Sequence, residues 1–112
     1  MNEEEIKKQI ATLEKCASLD WDTVDPDSSE EIMEELYITL HYMRREISEI
    51  IVNLPLPLLA RLARALYILL DIQDNLSVDI QEELEMYFLY ENIEEKIEEY
   101  RDISWANLLK YK

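Results

Sequence analysis

Residues 28–54 read SSEEIMEELYITLHYMRREISEIIVNL, and this stretch decides the fold class. Its apolar positions Met33, Leu36, Leu40, Met43, Ile47, Ile50 and Leu54 recur at alternating spacings of three and four. A repeat averaging 3.5 residues is the seam by which one helix packs against others in a left-handed sense. Ser28 followed by Glu31 matches the reciprocal capping box, which predicts the helix start. Leu54-Pro55-Leu56-Pro57 ends it, because proline disfavours helix in the residue before it while suiting the first turn of the next helix.

Outward from this helix the same logic continues. Upstream, Ile6, Ile10, Leu13 and Ala17 lie on one narrow face, predicting a helix from about Asn2 to Ser18 with Glu3, Glu4 and Glu5 at the positive end of its dipole. The segment from Leu19 to Ser28 reads as an acidic loop, in which Trp21 is available to anchor back on the bundle. Downstream, Leu59, Leu62, Leu66 and Leu69 predict a third helix from about Pro57 to Asp74, with Ala60, Ala63 and Ala65 permitting close approach. Ser77 is placed to cap a fourth helix running from about Val78 to Arg101, with Met86, Tyr90, Ile93, Ile97 and Tyr100 inward. Ser104 to Leu109 adds one short turn presenting Trp105 and Leu109. The expectation is an all-α fold: an antiparallel bundle of four helices with a short C-terminal helical turn, forming a single acidic domain over residues 1–112.

Composition agrees. The chain has 48% hydrophobic residues, enough for a core, and no glycine. Phosphate-cradling loops and turns of positive φ ordinarily rely on glycine, so its absence favours helices and speaks against a nucleotide-binding enzyme. The lone Cys16 reads as a small buried residue on the first helix and fits a reducing compartment. The start, Met1-Asn2-Glu3-Glu4-Glu5, lacks the basic and apolar stretches of a signal peptide, and Arg61 and Arg64 interrupt the longest apolar region. A cytoplasmic location is expected, which for a viral protein means the host cytoplasm.

Charge is the chain's second distinctive feature. The formal net charge is −15. Residues 1–36 carry twelve acidic and three basic side chains, residues 71–112 carry twelve and four, and the centre carries two and four. Solubility of a small domain is met by a net charge magnitude of about 2–8. The excess costs stability through self-repulsion, which implies a use: engaging a basic protein surface. The candidate partner-binding carboxylates are Asp20, Asp22, Asp25 and Asp27 on the loop and Glu91, Glu94, Glu95, Glu98, Glu99 and Asp102 on the fourth helix. Leu84 to Tyr90 is apolar around most of a helix circumference and must be covered by the tail or by a second molecule. Met86, Tyr87, Phe88, Leu89, Tyr90 and Trp105 are therefore a candidate oligomer interface. If the second and third helices pair antiparallel about Pro55, Arg45 faces Arg64. Arg44, Arg45, Arg61 and Arg64 then form a basic spot, unless neighbouring glutamates neutralise them.

No catalytic, cofactor-binding or metal constellation is present, and the chain is not expected to be an enzyme. His41, the only histidine, has no Glu three residues before it and reads as a surface residue. The paired glutamates have the spacing of a solvated helix face, and a calcium loop needs a central glycine. Direct nucleic-acid binding is disfavoured by the charge, as is an anionic membrane. The expected function is a non-enzymatic binding module for a basic protein, in its sharp form a nucleic-acid mimic that occupies the groove of a DNA- or RNA-binding protein. In composition the chain resembles the small, acidic, all-helical inhibitors that phages and mobile elements direct against restriction or CRISPR enzymes. The alternative is a structural or assembly subunit, or a homodimer, that uses its apolar helix faces.

Overall fold

The structure, a computed structural model, describes residues 2–21, 23–74, 81–82 and 84–111. Its principal helices are α1 (Glu3–Ala17), α2 (Pro26–Asn53), α3 (Leu56–Gln73), α4 (Met86–Arg101) and the short α5 (Trp105–Leu109). The four long helices pack against one another and α5 closes the bundle, as the apolar periodicities predict; no strand occurs among the described residues.

Local signals explain most of the boundaries. The Asn2 side chain accepts a hydrogen bond from Glu5 N at 3.3 Å and caps α1, satisfying one of its four free amides. At the other end the Trp21 indole N–H donates to Cys16 O at 3.1 Å, so the loop tryptophan does fold back and covers a terminal carbonyl. The start of α2 differs from expectation. The helix begins at Pro26 behind Asp25, two residues before Ser28, and no capping box forms at Ser28. Proline at the first helical position arrives with its φ already helical, so it nucleates the turn that the two serines then merely continue.

The seam of α2 is buried from Leu36 through Leu40, Met43, Ile47, Ile50 and Leu54, with Met33 half-buried two turns into the helix. Fully burying each such aliphatic side chain contributes about 1.5–3 kcal/mol. In α3 nine residues are buried, among them Leu59, Leu62, Leu66 and Leu69 and the three alanines. A helix buried on so much of its circumference has to be central, and α3 indeed packs on α1, α4 and α5. This overturns the pairing of the second and third helices about Pro55. Both Leu54 (ψ 136°) and Pro55 (ψ 144°) are extended, so the link carries α3 away from α2, and the two helices make only marginal contact. Instead α1 packs on both of them, and α4 lies along α2.

The fourth helix is shorter than its periodicity suggests. Gln81, Glu82 and Leu84 are helical, but Glu85 takes the left-handed conformation (φ 51°, ψ 34°) and α4 begins only after it. The proposed start at Val78 and its cap Ser77 lie outside the described residues. The inward stripe also shifts: Met86, Leu89, Ile93 and Ile97 are buried, Tyr90 is half-buried, and Tyr100 faces out beneath the Lys96 ammonium, 5.8 Å from its ring centre. Asp102 (φ 53°) ends α4 in the same left-handed well, so among the described residues this glycine-free chain makes two positive-φ turns, both with acidic residues. The absence of glycine did not exclude such turns. Ser104 then caps α5 by accepting from Asn107 N at 3.2 Å.

Candidate functional site

The four central arginines differ in what they bind. Arg61 makes a fork to Glu14 on α1, with Nε to Oε2 at 3.2 Å and Nη2 to Oε1 at 2.5 Å. That carboxylate holds the Arg61 guanidinium above its ordinary pKa. Arg64 donates to Tyr111 O at 2.7 Å and holds the C-terminal segment. Arg44 donates to Leu84 O and lies 3.9 Å from the Glu85 carboxylate, bracing the turn before α4. Arg45 remains exposed. Arg44, Arg61 and Arg64 each bind a group on another segment of the chain. The neutralisation by glutamates from other elements holds for Arg61 and Arg44.

Arg101, which the sequence pattern did not single out, does related work. Its Nη1 donates to Ile51 O and Leu54 O, both at 2.8 Å, at the C-terminal end of α2. Those carbonyls belong to a helix terminus that has no intrahelical partners for them, and a cation is favoured there by the dipole. Together with Arg44 at the opposite end of the contact, this bond shows that α2 and α4 run side by side in the same direction.

The acidic residues form two separate groups. Glu91, Glu95, Glu98, Glu99 and Asp102 are exposed along α4 and its end, with Glu94 half-buried among them. Residues 91–102 span about 17 Å of helix at 1.5 Å per residue. Six carboxylates over that length give one per roughly 3 Å, close to the charge spacing along a single nucleic-acid strand. Because Arg101 is turned to the end of α2, it leaves Lys96 as the principal cation inside the row. Asp20, Asp25 and Asp27 are also exposed, while Asp22 lies outside the described residues. Asp25 and Asp27 stand at the start of α2, whereas α4 joins α2 at Arg44. Seventeen residues of helix, about 26 Å, separate Asp27 from that point, so the loop and α4 acids are distinct patches.

The apolar candidates divide likewise. Met86, Leu89 and Trp105 are buried within the chain itself, and Tyr90 packs edge-to-face on Trp105 with ring centres 4.8 Å apart. Burial raises the Tyr90 pKa, and the Glu94 charge adds to it. The tail therefore covers this part of the apolar girdle. Tyr87 and Phe88 stay exposed; the Tyr87 hydroxyl donates to Asp74 Oδ1 at 2.5 Å, and that bond raises its pKa.

His41 is exposed and stacks on Tyr37, with ring centres 6.4 Å apart and planes 10° from parallel. The described residues contain no group of three histidine, cysteine or acidic side chains arranged to hold a metal ion. Cys16 is buried, and desolvation, assisted by Glu35, pushes its thiol above the ordinary pKa, the reverse of what a nucleophile needs. Among the described residues no helix is long and apolar enough to cross a membrane. Compared with protein families, curated proteins and solved structures, the chain finds no match in any of the three.

Proposed function

We propose that this protein is a non-enzymatic binder of a basic protein surface, with the exposed carboxylate row of α4 as its principal contact. The observation that carries the reading is the charge density of that row. Its potential is left intact because Arg101 spends its cation on the end of α2 rather than on the neighbouring glutamates. A predominantly acidic row of this length accelerates encounter with an oppositely charged surface and rejects like-charged ones. A charge spacing near that of a nucleic-acid strand favours, among basic partners, a groove built for DNA or RNA. Inhibition by mimicry is the form such binding takes.

The test is substitution of Glu94, Glu95, Glu98 and Glu99 with lysine, followed by partner capture from host lysate and elution in a salt gradient. The parent chain is expected to retain a nucleic-acid-binding protein that elutes at intermediate salt and is displaced by competing DNA or RNA. The substituted chain should lose it while keeping its helical circular dichroism. Retention of that partner by the charge-reversed, folded chain would sink the proposal. Recovery of the protein alone, or of a salt-resistant scaffold, points to the assembly-subunit reading instead.

A further inference from the structure

The most exposed large apolar side chain among the described residues is Phe88, at 73%. It stands at the N-terminal end of α4, on the same helix face as Glu91 and Glu95, since positions three and seven residues on recur there. Beside it opens a cleft of about 370 Å³ lined by Gln81, Glu82, Glu85, Tyr87 and Phe88. Its lining thus combines two aromatic rings with two carboxylates. Of the two rings, Tyr87 is tied to Asp74 through its hydroxyl.

We infer that this face is a two-part dock for a basic amphipathic protein segment: the cleft at Phe88 takes a large apolar side chain, and the carboxylates take the lysines or arginines flanking it. The inference rests on the proposed function and adds the chemistry of the partner. Charge complementarity selects this occupant. An anionic lipid surface or an acidic peptide meets Glu82 and Glu85 at the cleft itself. A second copy related by a two-fold axis sets one acidic patch against another, since such an interface joins identical patches. A purely polar cation, by contrast, leaves the phenyl ring in water and gains nothing from the cleft.

The test uses the full chain and two synthetic probes: a lysine–leucine peptide of helical periodicity, and the same peptide with each leucine replaced by serine. Titration calorimetry is run on the parent chain, on Phe88→Ala and on Ile38→Ala, an exposed apolar position on α2 that serves as control. The leucine peptide is expected to bind the parent chain roughly tenfold or more tightly than the serine peptide, as burial of an aliphatic side chain implies. Phe88→Ala should erase that difference with unchanged circular dichroism, and Ile38→Ala should preserve it. Equal binding of both peptides, or a preference indifferent to Phe88→Ala, overturns the dock while leaving the acidic surface standing. Failure of either peptide to bind at low salt overturns the acidic surface itself. Concentration-dependent dimerisation of the parent chain that Phe88→Ala abolishes makes a second copy the occupant and overturns the inference too.

Discussion

At the scale of single residues, Glu85 and Asp102 carry conformations that their side chains do not favour. A left-handed residue with a Cβ costs about 1–2 kcal/mol, less for Asp, whose short side chain tolerates this well, than for Glu. Glu85 gains little in exchange: its carboxylate is exposed and lies 3.9 Å from Arg44. Glu85→Gly is therefore expected to stabilise the fold by about 1 kcal/mol in urea denaturation, whereas Glu85→Ala, which keeps the Cβ, should not. Equal effects of the two substitutions would show that the backbone at this position is unstrained. Gln73 is a second costly residue. It is 1% exposed, and neither amide atom finds a partner among the described residues. The residue-level errors of sequence reading sit at these points. Nothing in a string without glycine announces that one glutamate and one aspartate will turn the chain, and nothing at Gln73 signals burial, because each follows from constraints imposed by neighbouring helices.

At the scale of elements, α2 and α3 were legible because their apolar patterns are long and unbroken. Leu40 and Ile47 are buried in the α2 seam, so Leu40→Ala and Ile47→Ala are each expected to cost roughly 2–5 kcal/mol. A negligible loss in thermal or urea unfolding would contradict the seam. The fourth helix was less legible. Its stripe keeps Met86, Ile93 and Ile97 but adds Leu89, while Tyr90 turns to Trp105 and Tyr100 lies outside beneath Lys96. Helix starts were the other weak point. Ser28 satisfied a pattern for capping, but Pro26 had already fixed the first turn, and a proline at that position outweighs a hydrogen bond that any later serine offers.

At the scale of the whole molecule, protonation couples to stability in a definite direction. Cys16, Tyr42 and Tyr90 have pKa values raised chiefly by burial, and Tyr87 has one raised chiefly by its bond to Asp74. In each case folding favours the protonated, neutral form. The stability they contribute is complete below the ordinary thiol and phenol ranges, near 8.5 and 10, and is lost as pH rises through the raised values, because the unfolded chain releases its protons first. The urea midpoint is thus expected to fall progressively above about pH 9. A midpoint that is level or rising from there to about pH 11 would contradict the burial of Cys16, Tyr42 and Tyr90 and the Tyr87–Asp74 bond.

The sequence by itself determined the helical class, the packing seam of α2, the inward leucines of α3, the burial of Cys16 and the excess of negative charge. These are properties of local periodicity and composition, which each helix carries regardless of its neighbours. Only the tertiary structure decided which helices touch. It packed α1 on both α2 and α3, sent Arg44, Arg61, Arg64 and Arg101 to four different anchoring points, and left Phe88 outside while Trp105 closed over Tyr90. Pairing depends on the direction in which an extended link such as Leu54-Pro55 releases the chain, and on which of several equally apolar faces finds the larger complementary surface. Both are comparisons between distant segments, and no spacing within one segment contains them.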